Sequence, residues 1–202
     1  MQKRKVAYKT IEHFSEGLFK DRGSKFISLV YPVDSESAIK EVLNDLQKKY
    51  HDSQHQCYAW RLGISPIKER ANDDGEPSNS AGKPILNQIQ KYDLTNTLIV
   101  VIRYFGGTLL GVGGLINAYR TAAEAAVNNN TIVKRFLMKT YKLDFDYPQM
   151  NQVMSFIKEN NLEAFDQVFE LRCSLKFKVK LNDQDKIQSK LSRLNDVNYE
   201  DI

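Results

Sequence analysis

The chain has 202 residues, 42% of them hydrophobic and 27% charged, with a formal net charge of +4. These are ordinary values for a folded protein of one large or two small domains. The longest purely apolar run, 98–102, is far too short to cross a bilayer, and the basic start Met1-Gln2-Lys3-Arg4-Lys5 lacks the apolar segment of a signal peptide. The expected location is the cytoplasm, with no membrane partner.

The charge is uneven. Residues 1–137 hold 19 Lys/Arg against 14 Asp/Glu, and residues 138–202 hold 10 against 11, so any electrostatic attraction to nucleic acid comes mostly from the first part. Cys57 and Cys173 are read as two free thiols in a reducing compartment.

In chain order, residues 26–33 predict a strand closed by Pro32, with Asp34 or Ser35 capping an amphipathic helix over 36–50 on Ile39, Leu43, Leu46 and Tyr50. Residues 57–62 read as a short strand, 66–82 as a polar loop and 84–91 as a short helix. Residues 96–105 are β-branched and apolar, the mark of a central strand buried on both faces. An alanine-rich helix over 115–127 follows, with small residues that let a sheet approach closely.

The tail is more regular. Tyr141, Leu143, Phe145 and Tyr147 alternate with polar residues as a strand. Met150, Val153, Met154 and Ile157 make a helix face. Residues 163–170 are a second strand. In a third, Leu171, Cys173, Leu175, Phe177, Val179 and Leu181 alternate with Arg172, Ser174, Lys176, Lys178 and Lys180. Asp183 caps a helix, and 197–202 is a last strand. The order βαββαβ is the ferredoxin-like plan. The basic stripe reads as a solvated face, because its outward positions carry no stacking aromatics.

Two segments concentrate unusual residues. The first, 73–86, packs Asp73, Asp74, Gly75, Glu76, Pro77 and Ser78 into a non-repetitive loop. Its carboxylates suit a divalent metal, a basic partner surface, or backbone N–H groups that fix an irregular loop. The second runs through Arg103, Tyr104, Phe105, Gly106, Gly107, Gly111, Gly113 and Gly114. Glycines between a strand and a helix suit phosphate contact at a helix N-terminus, with Arg103 and Arg120 nearby, or a tight turn and close packing. The spacing fits neither standard nucleotide loop. A third cluster, His51, His55 and Cys57, offers zinc binding, Cys–His chemistry or a structural role.

Together these segments resemble the IMPACT/YigZ family. Asp73-Asp74-Gly75-Glu76-Pro77-Ser78, Ala81-Gly82 and Pro84-Ile85-Leu86 carry the resemblance. So do Arg103-Tyr104-Phe105-Gly106-Gly107, Leu110-Gly111, Gly113-Gly114-Leu115 and Ala118-Tyr119, with Gly23-Ser24-Lys25-Phe26 and His55, Cys57 and Ala59 earlier. Asn79-Ser80 stands where the family usually has Gly-Thr.

The resemblance implies an α+β chain of two domains. Residues 1–137 would be similar to ribosomal protein S5 domain 2, and 138–202 would be a ferredoxin-like domain similar to those of elongation factor G. Eukaryotic relatives in the family are linked to translational control through a protein partner, which the resemblance makes the expectation here. A proline-peptidase label borne by the family finds no supporting motif here.

The expected function is a non-enzymatic module that contacts RNA, the ribosome or a translation-factor protein. No cofactor or metal is expected, and Asp73–Ser78, Arg103–Gly107, Gly111, Gly113, Gly114, Arg120 and His55 are the binding candidates. One alternative is a metal-assisted hydrolase using Asp73, Asp74 and Glu76 with His55. Another is assembly through an edge strand of the tail.

Overall fold

The run Thr97–Tyr104 is buried at every position but the last, and the larger of two units is laid out around it. The computed structural model describes residues 6–202, so the basic stretch Met1–Lys5 lies outside the described residues. Internal contacts separate Tyr8–Arg135 from a second unit that holds Phe136–Ile202.

The first part of the chain forms β1 (Ala7–Ile11), β2 (Ser15–Asp21), β3 (Ser24–Pro32), α1 (Glu36–Lys49), β4 (His55–Leu62) and β5 (Lys68–Asn72). It continues with α2 (Gly82–Lys91), β6 (Thr97–Tyr104), α3 (Gly111–Asn128) and β7 (Ile132–Phe136). β1 and β7 make a two-stranded ribbon, and the main sheet has the order β2-β3-β6-β4-β5. β6 runs antiparallel to both neighbours, so it splits β3 and β4, the pair joined through α1.

On one face Val101 and Phe26 pack with Ile85 of α2 and Ala118, Tyr119 and Ala122 of α3. On the other, Leu98, Val100 and Trp60 pack with Ile39 and Leu46 of α1. Helices on both faces explain why the central strand shows no polar alternation.

Local chemistry sets the joints. Of the two capping candidates before α1, Ser35 is the cap, accepting from Ala38 N at 3.2 Å. Arg22 and Gly23 have φ of 45° and 78° and close Asp21 onto Ser24, a two-residue hairpin turn. The small face of α3 meets β2 closely enough that a Cβ on Gly17 would lie 2.5 Å from Ala126 N.

Four strands fall outside the elements expected from sequence. β1 and β7 have five residues each, and β2 is an edge strand of alternating exposure. β5, Lys-Glu-Arg-Ala-Asn, falls inside the expected loop 66–82 because an exposed edge strand needs no apolar alternation; its pairing with β4 defines it. α3 starts at Gly111, a turn earlier than expected, since glycine interrupts a helix only weakly in the first turn.

The second unit holds β8 (Met138–Asp146), α4 (Met150–Glu159), β9 (Ala164–Phe169), β10 (Arg172–Lys180), α5 (Gln184–Leu191) and β11 (Val197–Asp201). Its sheet has the order β11-β8-β10-β9 with every pair antiparallel, the ferredoxin-like arrangement. The chain is thus α+β.

Several details differ from expectation. Tyr147 and Leu171, expected as inward strand positions, are 68% and 94% exposed, because β8 ends at Asp146 and β10 begins at Arg172. Met154 is exposed, and Phe156 takes its place in the core beside Val153 and Ile157. Asp183 ends a short 3₁₀ turn that runs into α5 and makes no side-chain cap. The outer face does carry an aromatic ring: Phe165 of β9 lies 5.5 Å below Lys178 Nζ. Part of the basic stripe is neutralised there, because Lys176 pairs with Asp166 and neighbouring Lys142 pairs with Asp144 and Glu200.

Gly17→Ala is expected to destabilise the chain by about 1–3 kcal/mol, the usual cost of overpacking, because the added methyl meets helix backbone that cannot rotate away. Urea denaturation of the two proteins measures this; equal midpoints would show that α3 yields.

Candidate functional site

The acidic loop is built around its own backbone. Asp74 and Gly75 take left-handed φ of 44° and 84° and turn the chain back on itself. Asp73 Oδ1 accepts from Ala81 N at 3.0 Å and Gly82 N at 2.8 Å, and its Oδ2 from Asn79 N at 2.9 Å. Ala81 offers α2 no side-chain cap, so Asp73 serves that helix N-terminus from eight residues upstream, with its negative charge at the favourable end of the dipole. Asp74 Oδ2 accepts from Gln56 N at 2.6 Å, and Asp74 O meets His55 Nδ1 at 2.7 Å.

Glu76 goes further in. Its Oε1 receives Arg103 Nη1 and Tyr119 OH, each at 2.6 Å, with both ion-pair side chains almost wholly buried. The Arg103 guanidinium sits between the rings of Phe26 and Phe105, at 5.5 and 5.6 Å. The Cys57 thiol donates to Asp73 O at 2.9 Å, and Tyr119 OH lies 3.3 Å from its sulfur. Burial pushes the Cys57 thiol and the Tyr119 hydroxyl well above their ordinary pKa ranges. A thiol so buried and so reluctant to ionise is a structural group, not a nucleophile.

This geometry answers several open readings. All three carboxylates accept bonds from protein N–H or O–H donors, as the structural reading of the loop expects, and Asp74 is also exposed. The hydrolase alternative finds no support: among the described residues no group of three or more His, Cys, Asp or Glu side chains is placed to share a metal. Arg103, expected on a phosphate-contacting face, is interior and committed to Glu76, whereas Arg120 is exposed and bonds Asn117 Oδ1 at 2.6 Å. The structure does not bring the two arginines together as an anion site.

The glycine segment divides into structural and free positions. A Cβ on Gly106 would fall 1.9 Å from Gly23 C, so these two stretches of backbone touch; Gly106 N also donates to Ser24 Oγ at 3.1 Å. Gly107 and Gly111 have φ of 86° and 70°, which favour glycine. Gly114 lies against Leu110 Cβ. Gly113 needs neither explanation: its φ is ordinary, and a methyl group there would meet nothing within 4 Å.

Around this segment Phe105, Leu109 and Val112 are 44%, 82% and 53% exposed. With Pro77, Leu110 and Leu115 they line a groove of about 460 Å³ that also includes His55, Glu76 and Arg103. Leu109, Leu110 and Val112 were not among the sequence candidates. The signal that could have found them is an apolar residue inside a glycine turn that neither strand nor helix can bury.

Residues 22–127 match the Impact N-terminal domain. The chain belongs to the IMPACT family. It is 34% identical to the IMPACT family member YvyE of Bacillus subtilis over 76% of this chain and 71% of that one. It is 32% identical to the family member YigZ of Escherichia coli over 66% and 67%. A solved crystal structure described as that of a hypothetical protein superposes with a TM-score of 0.72 at 23% identity, covering 96% of this chain and 97% of that one, a likeness of fold.

Within the IMPACT signature, the departure at Asn79-Ser80 is accommodated. Asn79 adopts φ of 61°, the left-handed region that asparagine tolerates better than most residues. Ser80 is fully buried and donates to Pro77 O at 2.6 Å, which is the service a hydroxyl is needed for.

Two outcomes follow for stability. Arg103→Met is expected to cost about 3–5 kcal/mol by stranding the Glu76 carboxylate, and a paired Glu76→Leu change is expected to recover part of that loss; denaturant midpoints of the two variants decide it. Asn79→Gly is expected to leave the melting temperature nearly unchanged, whereas Asn79→Val loses about 1–2 kcal/mol from its left-handed backbone, read by the same method.

Proposed function

We propose that this chain is a non-enzymatic, translation-linked binding protein of the cytoplasm, and that the groove beside the IMPACT signature receives an apolar segment of a translation factor or ribosomal protein. The observation that carries the reading is the exposure of Phe105, Leu109 and Val112 around one groove. Contiguous exposed apolar side chains rimmed by polar ones mark interaction surfaces, and aromatic anchors set in pockets dominate such interfaces.

The polar half of the site supports the same reading. Glu76 holds Arg103, and Asp73 and Asp74 hold backbone N–H groups of the loop and of β4, so these groups fix the shape of the groove while its walls at Phe105, Leu109 and Val112 stay apolar. A protein segment suits that surface better than a phosphate backbone, whose recognition needs exposed cations. The translational link rests on the control, through a protein partner, that the family resemblance implies.

Sedimentation of lysate at low and high salt, with the wild type and the variants Leu109→Asp, Val112→Asp and Arg120→Glu, tests the proposal. The expected result is travel with ribosomes or their factors that survives high salt and falls at least about tenfold in affinity, roughly 1.4 kcal/mol, in Leu109→Asp and Val112→Asp. Association that high salt abolishes and Arg120→Glu weakens, with both aspartate variants unaffected, would place the contact on RNA phosphate. Absence from ribosomal and factor fractions at low salt would end the translational reading.

A further inference from the structure

β2 is an edge of the five-stranded sheet, and its sequence is complementary to itself. The Arg22-Gly23 turn sets Asp21 opposite Ser24, so the N–H and C=O groups of Asp21, Phe19 and Gly17 face β3. Those of Glu16, Leu18 and Lys20 face outward. The Glu16 carbonyl also accepts Asn129 Nδ2 at 2.9 Å, and a carbonyl oxygen keeps a second lone pair for another donor.

The side chains on this edge lack partners. Leu18 is 51% exposed, with Glu16 and Lys20 exposed on either side of it. Lys20 lies directly opposite Lys25 of β3, two like charges in register, an arrangement that destabilises a sheet. Among the described residues neither Glu16 nor Lys20 has an ion-pair partner.

We propose that β2 pairs antiparallel with β2 of a second copy of this chain about a twofold axis at Leu18. In that register Leu18 meets its own counterpart as a hydrogen-bonded pair. Glu16 of each copy stands opposite Lys20 of the other, and Gly17 opposite Phe19. The two sheets become one continuous sheet. The incoming carboxylate neutralises the Lys20–Lys25 repulsion, and Leu18 leaves water.

The charge pattern is what commits the edge to a second copy over an unrelated strand, because a twofold axis brings these opposite charges together twice. The edges at β5 and β9 suit pairing less. β5 is a run of exposed charged residues. β9 is kinked by a register shift against β10 and by left-handed Asp166, a device that protects an edge. The inference is independent of the groove and of what occupies it.

Sedimentation equilibrium of the full chain across micromolar to millimolar concentration tests it. The wild type is expected to approach twice the monomer mass. Glu16→Lys and Lys20→Glu, each alone, are expected to weaken association about tenfold or more by placing like charges across the axis, and the double variant to restore it.

As a second readout, Leu18→Cys is expected to give a disulfide-linked dimer on mild oxidation. Hydrogen-bonded partners lie about 5.5 Å apart at Cα, within disulfide reach, and the native thiols are buried. A wild type that stays monomeric throughout overturns the proposal. So does a dimer indifferent to both single reversals, or a double variant that stays as weak as the single ones.

Discussion

The Glu76 carboxylate organises the N-terminal unit. One oxygen receives both Arg103 from the end of β6 and Tyr119 from the middle of α3, while its own loop is pinned by Asp73 to the start of α2. A buried carboxylate without its partners is expensive, and so is a buried guanidinium without its acid. Each of these elements therefore holds the others to one position. Because Arg103 is fixed one residue before β6 ends, the chain leaves the sheet at a defined point. The turn through Gly106 can then lie against Gly23 with no room for a side chain between them.

That arrangement separates the polar chemistry of the signature from its surface. In sequence the acidic loop has the composition of a catalytic or metal site. In space its carboxylates point at backbone N–H groups, an arginine and a tyrosine, and Cys57 is sealed beneath them. Phe105, Leu109 and Val112 reach solvent beside them, as does Asp74. The polar network supplies rigidity, and rigidity lowers the ordering cost of binding. On the proposed reading, this frame holds the groove ready for a protein segment.

The edge at β2 offers a different kind of contact on the same unit. The groove relies on the area and shape of apolar side chains. The edge relies on a row of backbone groups whose register is selected by the alternation Glu16, Leu18, Lys20. Contacts of these two kinds respond differently to salt and to substitution, so they can be separated by experiment.

Much of the architecture was legible in the sequence alone. The helical period over 36–50, the unbroken apolar run of β6 and the alternation of β10 are local patterns, each imposed by which face of an element meets a core. The family signature was legible for the same reason, being carried by residue types at fixed spacing. Edge strands such as β5 were not, because an exposed strand is defined by its neighbour's hydrogen bonds and not by its own side chains.

The direction in which Arg103 and Glu76 point was hidden too: they lie 27 residues apart, and a charged residue reads as exposed until its partner is found. Chain order thus determined the helices and the central strands, the family and the α+β plan. Only tertiary packing decided that Glu76 and Arg103 form an internal strut and that Phe105, Leu109 and Val112 line an exposed groove, since burial depends on the whole set of neighbours brought together from distant parts of the chain.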